Sequence, residues 1–248
     1  MRLGNVERMV LVTTVQFEQG SQVGDPISQA KIYQAQNVDE LIFLDLDATL
    51  QARSTLTGVV EEAAEELFMP LTVGGGVRSI ADFRALLRCG ADKISINTAA
   101  VENDSLITRA ADTFGAQCVV VSIDYRRTVG GQCKVFTRGG RHDTGMDPVD
   151  WAKTCAQRGA GEILLTSIDR DGTCMGLDIE LTRRVADAVS IPIVTSGGCG
   201  SAAHFVEAFS KGLADAVAAG TFFCHKDQTP LQTRARISNA GIPIRLHV

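Results

Sequence analysis

The chain has no excess of basic charge, no C-x-x-C pair and no long apolar run, and each absence narrows what it does. Its formal net charge is −5 at pH 7, so there is no basic field for a nucleic acid, which does not exclude a local basic pocket for a small anion. The cysteines at 89, 118, 133, 155, 174, 199 and 224 form an odd set without metal-ligand or redox spacing. Most fall in strand or helix patterns, as reduced thiols of a cytoplasmic protein do. No apolar stretch approaches a membrane span, and the start Met1-Arg2-Leu3-Gly4-Asn5 carries no signal-peptide core. A cytoplasmic protein is expected, with no metal, cofactor, nucleic-acid or membrane contact.

What the chain does have is a repeat. Thr72-Val73-Gly74-Gly75-Gly76-Val77 stands between a strand-like run from Pro70 and a helical pattern that starts at Ser79. Such glycines weaken both elements but expose backbone N–H groups to a phosphate at a helix start. The pattern returns 122 residues later: Pro192 answers Pro70, Gly197 and Gly198 answer Gly75 and Gly76, and Phe205 answers Phe83. At the same offset Glu40-Leu41-Ile42-Phe43-Leu44 answers Glu162-Ile163-Leu164-Leu165-Thr166. A unit this long is no solenoid repeat, and each copy holds several strand–helix pairs.

Seven strands are legible: Leu41–Asp45, the run beginning at Pro70 and Leu71 that leads into the first glycines, Lys93–Asn97, Cys118–Asp124, Glu162–Ile168, the run from Ile191 that leads into the second glycines, and Ala216–Gly220. They alternate with eight helical patterns, of which those at Asp25-Pro26 and Ser79 carry start signals. Residues 128–145 read as a long hairpin insertion. At 248 residues, a doubled β/α chain predicts one (β/α)8 barrel spanning 1–248, built from two half-barrels. The first strand is short or divergent. The counterpart of Cys118–Asp124 falls at Met1 and Arg2, so that strand is cut back, replaced by Arg2–Val6, or supplied by Met9–Val15.

In such barrels the site lies at the C-terminal strand ends. Those ends carry Asp45, Asp47, Gly76, Asn97, Thr98, Asp124, Thr166, Asp171, Gly172, Ser196, Gly198, Ala219 and Gly220. Two phosphate cradles are expected, one of Gly76, Asn97 and Thr98 and one of Gly172, Gly198, Ala219 and Gly220, spanned by a substrate with a phosphate at each end. Asp124 and Asp171 between them are acid–base candidates. Capping or loop bracing is the plain alternative for an aspartate at a strand end. At the opposite ends stand Glu40, Asp92, Lys93 and Glu162. They are either solvated charges or inward groups that close the barrel bottom.

The runs Gly90–Asn103 (GADKISINTAAVEN), Gly159–Thr173 (GAGEILLTSIDRDGT) and Thr72–Gly76 closely resemble the cyclase subunit of imidazole glycerol phosphate synthase. The likeness extends from about residue 16 to the C-terminus. The sister phosphoribosyl isomerase family shares the half-barrel repeat, but Ile96-Asn97-Thr98-Ala99-Ala100 fits the cyclase better. The resemblance implies a heterodimer with a glutaminase docked at the barrel bottom. Ammonia would pass a gate and react with a ribulosyl bisphosphate substrate, giving imidazole glycerol phosphate and an aminoimidazole carboxamide ribotide. Asp124 falls on the family's general acid, and Glu40, Lys93 and Glu162 on three of its four gate residues. The gate arginine would lie before Met1. Spacing from Gly24-Asp25-Pro26 puts Asn5 at the family's general base and Thr13 at its phosphate-binding lysine. Val12–Phe17 resembles a divergent branch that accompanies amidotransferases of surface polysaccharide (O-antigen) biosynthesis. That branch implies an alternative, an ammonia-channelling partner subunit with a degraded cyclase site.

Overall fold

The computed structural model describes residues 1–5, 9–45, 48 and 57–245. In chain order the elements are β1 (Arg2–Asn5), β2 (Met9–Val15), β3 (Glu18–Gly24), α1 (Pro26–Ala35), β4 (Leu41–Asp45), α2 (Thr57–Glu66), β5 (Leu71–Gly74), α3 (Ile80–Arg88) and β6 (Lys93–Ile96). There follow α4 (Thr98–Glu102), α5 (Ser105–Phe114), β7 (Val119–Arg127), β8 (Cys133–Thr137), β9 (His142–Asp143) and α6 (Pro148–Gln157). The last are β10 (Glu162–Ser167), α7 (Ile179–Ala186), β11 (Ile193–Ser196), α8 (Ala202–Ser210), β12 (Ala216–Ala218), α9 (Thr221–His225) and α10 (Pro230–Asn239).

Local chemistry sets the helix starts. Asp25 accepts from Ser28 N at 2.7 Å with Pro26 opening α1, and Ser79 and Asp82 form a reciprocal capping box on α3. Asp178 caps α7 in the same way, through Leu181 N at 3.2 Å.

The sheet runs β12-β11-β10-β7-β6-β5-β4-β1, all parallel, and continues antiparallel into β2 and β3. Of the three alternatives for the first barrel strand, the structure takes Arg2–Asn5. The Met9–Val15 run pairs antiparallel to it and is followed by β3, antiparallel in turn. Among the described residues no ladder joins β12 to β1, whose second edge is occupied by β2. The curled sheet is thus a (β/α)8 barrel with an unbonded seam. The hairpin insertion is also present, as β7–β8–β9.

Parity along the strands decides what faces the lumen. Leu41 and Phe43, Val119, Val121 and Ile123, Ile163 and Leu165, and Ile193 belong to the large core beneath the helices. Their alternates Ile42, Leu44, Val120, Leu164, Val194, Ala216 and Ala218 form a separate cluster inside the barrel. Extending that parity by one step puts Glu40, Lys93 and Glu162 at the bottom of the lumen. In the other direction it puts Asn97, Asp124, Thr166 and Ser196 at its top.

Candidate functional site

The bottom layer is closed by one lysine between two glutamates. Lys93 Nζ lies 2.8 Å from Glu40 Oε2 and 2.8 Å from Glu162 Oε2. Burial opposes the lysine's charge, but its hydrogen bonds to Glu162 and Glu40 outweigh that, and its pKa is raised. The inward reading of these three residues is the observed one. Asp92 has another task. Its carboxylate accepts from Leu71 N at 2.8 Å, and its repeat counterpart Asp215 accepts from Ile193 N at 2.8 Å. Each braces the start of the strand next to its own.

Above the apolar layer stands the polar mouth. Asp124 on β7 accepts from Asn97 Nδ2 at 2.7 Å and from Ser122 Oγ at 3.1 Å. Burial pushes its pKa up to about 6 against the pull of Arg2 and these hydrogen bonds, and Asp171 adds a push upward. Asp171, in the turn after β10, is held by Arg2 Nη1 at 2.6 Å and Thr14 Oγ1 at 2.9 Å, both on its Oδ2. Arg2 also bonds Thr14 Oγ1 and stacks its guanidinium over Phe17, 4.2 Å from the ring centre. The turn between β2 and β3 roofs this group, with Gln16 N donating to the Asp171 carbonyl at 2.9 Å.

The ladder corrects the assignment of the first strand's end. Asp124 lies opposite Thr166, and Arg2 lies opposite Leu44, Thr166's counterpart in the other half-barrel. Arg2 therefore occupies the position related to Asp124 by the repeat. Asn5 stands three residues farther on, opposite Met9. Counting back from Gly24 therefore ends three positions away from the residue that the ladder relates to Asp124. Thr13, the other aligned position, contacts His225 Nε2 at 2.9 Å.

Asp45 also differs from expectation. It keeps the parity of Leu41 and Phe43, and its Oδ1 accepts from Ala48 N at 3.1 Å. That is loop bracing, the plain alternative for a strand-end aspartate. Asp47 lies outside the described residues.

The two glycine strands end in related geometry. Gly75 and Gly76 have φ of 94° and 74°, and Gly197 and Gly198 have 89° and 104°. The short helices α4 and α9 begin at Thr98 and Thr221, with Asn97 and Gly220 before them. This brings Gly76, Asn97 and Thr98 to one side of the mouth, and Gly172, Gly198, Ala219 and Gly220 to the other. Thr98 Oγ1 accepts from Arg138 N at 3.0 Å, which ties the inserted hairpin to the first cradle.

A cavity of about 770 Å³ joins top to bottom. It starts at Glu40 and Glu162, passes Ile42, Leu164 and Val194, and reaches Thr166, Asp171, Ser196, Ala219 and Gly220. At the seam it widens against Phe205, Phe209 and Phe223. Asp124, Asn97 and the first cradle lie outside its lining. Among the described residues no group of His, Cys, Asp and Glu could hold a metal ion, and no helix is long and apolar enough to cross a membrane.

Sequence reasoning missed Arg2, Thr14, Ser122 and His225. The offset of 122 residues did point at residue 2 as the partner of Asp124.

Comparison with known proteins gives two findings. The family described as "Histidine biosynthesis protein" matches residues 5–229. The chain is 49% identical over 237 residues to "Imidazole glycerol phosphate synthase subunit HisF" of Geobacillus kaustophilus (strain HTA426), covering 95% of this chain and 94% of that protein.

Proposed function

The chain belongs to the histidine biosynthesis protein family, and from that membership we propose that it is the cyclase subunit of an imidazole glycerol phosphate synthase. It uses ammonia to convert a ribulosyl bisphosphate into imidazole glycerol phosphate and aminoimidazole carboxamide ribotide. The observation that carries this reading is the layered lumen. A charged bottom, an apolar middle lined by Ile42, Leu164 and Val194, and a mouth with carboxylates suit a small neutral amine travelling upward. Incubation with the bisphosphate and ammonium salt tests it: both products form, and absence of both overturns the reading.

The substrate is anchored at its two phosphates. Gly76, Asn97 and Thr98 hold one, and Gly172, Ser196, Gly198, Ala219 and Gly220 the other, through backbone N–H groups at strand ends and helix starts. Crystals soaked in phosphate are expected to fill both cradles, the one nearer Thr13 more weakly because Thr13 offers no positive charge there. Empty density at both sites counts against the assignment.

The partner is a glutaminase that docks over Glu40, Lys93 and Glu162, with a standard interface burying about 1,600 Å² in total. Lys93→Glu puts a third carboxylate where the cation stood. Glutamine-dependent turnover should then drop about tenfold or more, the equivalent of about 1.4 kcal/mol, with ammonia-dependent turnover kept. Equal loss of both rates removes the gating role.

A second reading rests on β1, which brings Arg2 level with Leu44 at the mouth and carries no carboxylate. On it the barrel only delivers ammonia to a sugar amidotransferase. Binding of a glutaminase without any cyclisation is the outcome that favours it.

A further inference from the structure

We propose that Asp171 is the proton acceptor of the cyclisation, held in place by Arg2 as a positioning residue. The inference rests on the cyclase reading above and names the base that reading lacks. A ribulosyl group presents a ketone, and building an imidazole from ammonia requires that C=O to become C=N. Ammonia adds to the carbonyl carbon, two N–H protons leave in turn, and the oxygen gains two protons and departs as water, so that C=O and NH3 give C=NH and H2O. One group must take a proton from nitrogen while another gives one to oxygen, so the two transfers balance.

Asp124 suits the donating role, because a half-buried carboxyl beside a second carboxylate keeps its proton more readily. β1 offers no acceptor: the residue level with Leu44 is Arg2, a guanidinium, and the strand's last residue, Asn5, is an amide. Arg2 has no free pair to accept a proton. Asp171 is the carboxylate that the cavity rising from Glu40 and Glu162 reaches at its upper end. Both bonds that fix it, from Arg2 and Thr14, go to Oδ2. Among the described residues none donates to Oδ1, which is left for the amine. Permanently charged Arg2 orients the carboxylate through its bond to Oδ2. The cation also balances the charge of two acids in one mouth. The titratable groups that face Asp124 are Arg2 from β1 and Asp171 after β10, while β6 contributes the amide of Asn97.

The test uses the full chain with the ribulosyl bisphosphate and ammonium salt. Asp171→Asn should lower kcat by about 10²–10⁴, the usual scale for a lost general base, with KM changed only a few-fold. Asp171→Ala should regain part of its rate when formate is added, which a merely structural role would not allow. Arg2→Met removes a charge that lowers the pKa of Asp124, so the alkaline limb of the kcat profile should move to higher pH. Circular dichroism of each variant separates misfolding from lost chemistry. A wild type that turns over, with Asp171→Asn retaining its kcat or a folded Asp171→Ala deaf to formate, overturns this assignment alone. A wild type without turnover overturns the cyclase reading beneath it.

Discussion

Asp124→Asn should lower kcat by about 10²–10⁴ with ammonia as the nitrogen source, and leave the affinity for phosphate nearly unchanged. The amide fits the space and still meets Asn97 and Ser122, but it has no acidic proton to give to the departing oxygen. Asp124 is suited to that task because burial raises its pKa to about 6. The sign follows directly. The acid form dominates below that value and is lost as pH rises through it, so at pH 7 about a tenth remains protonated. Above about pH 6 the wild-type kcat should therefore fall as the acid form does, approaching tenfold per unit. Stopped-time product assays across pH 5 to 8 check both statements, and an Asp124→Asn variant with wild-type kcat would remove Asp124 from the chemistry.

Period-2 strands and glycine turns made the barrel legible, and the repeat made it a double one. Leu41–Asp45 was readable to the residue because a strand buried on both faces is continuously apolar. The Glu40, Lys93 and Glu162 layer was readable in position but not in direction. Only the sorting of Ile42 and Leu164 into the lumen cluster, away from Leu41 and Ile163, fixes Glu40 and Glu162 inward. The β1 end was the hard part. A four-residue strand has too little pattern to fix its own register, and tertiary pairing with β4 decides it. Asp171 illustrates the same limit from the other side. Its place at a strand end was visible, while its partner Arg2 lies 169 positions away along the chain. Short helices α4 and α9, five residues each, carry no periodicity long enough to detect, yet they begin right after Asn97 and Gly220.

Gly75→Ala should be among the most disruptive single-methyl changes in the mouth. Gly75 has φ of 94°, a region where a side chain costs roughly 1–3 kcal/mol. Its added Cβ would also meet the carbonyl oxygen and the backbone nitrogen of Asp45, far inside van der Waals contact. Neither belongs to a flexible side chain that could turn aside. Overpacking of that kind costs a further 1–3 kcal/mol, roughly. For a domain of this size about 2–4 °C of Tm is lost per kcal/mol, so the expected drop is on the order of 10 °C. The effect is local in origin. β5 and β4 must separate at their ends, which moves Gly76 away from Asn97 and Thr98 and weakens phosphate at the first cradle before the second. Gly58→Ala is the matched control, since nothing stands within 4 Å of its Cβ and its φ is not positive; its stability should hold or rise by up to about 1 kcal/mol, because the glycine stands in α2. Scanning calorimetry of both variants, followed by phosphate titration, decides the matter. Equal melting temperatures for Gly75→Ala and Gly58→Ala would mean that the close approach of β5 to Asp45 is not what builds the cradle.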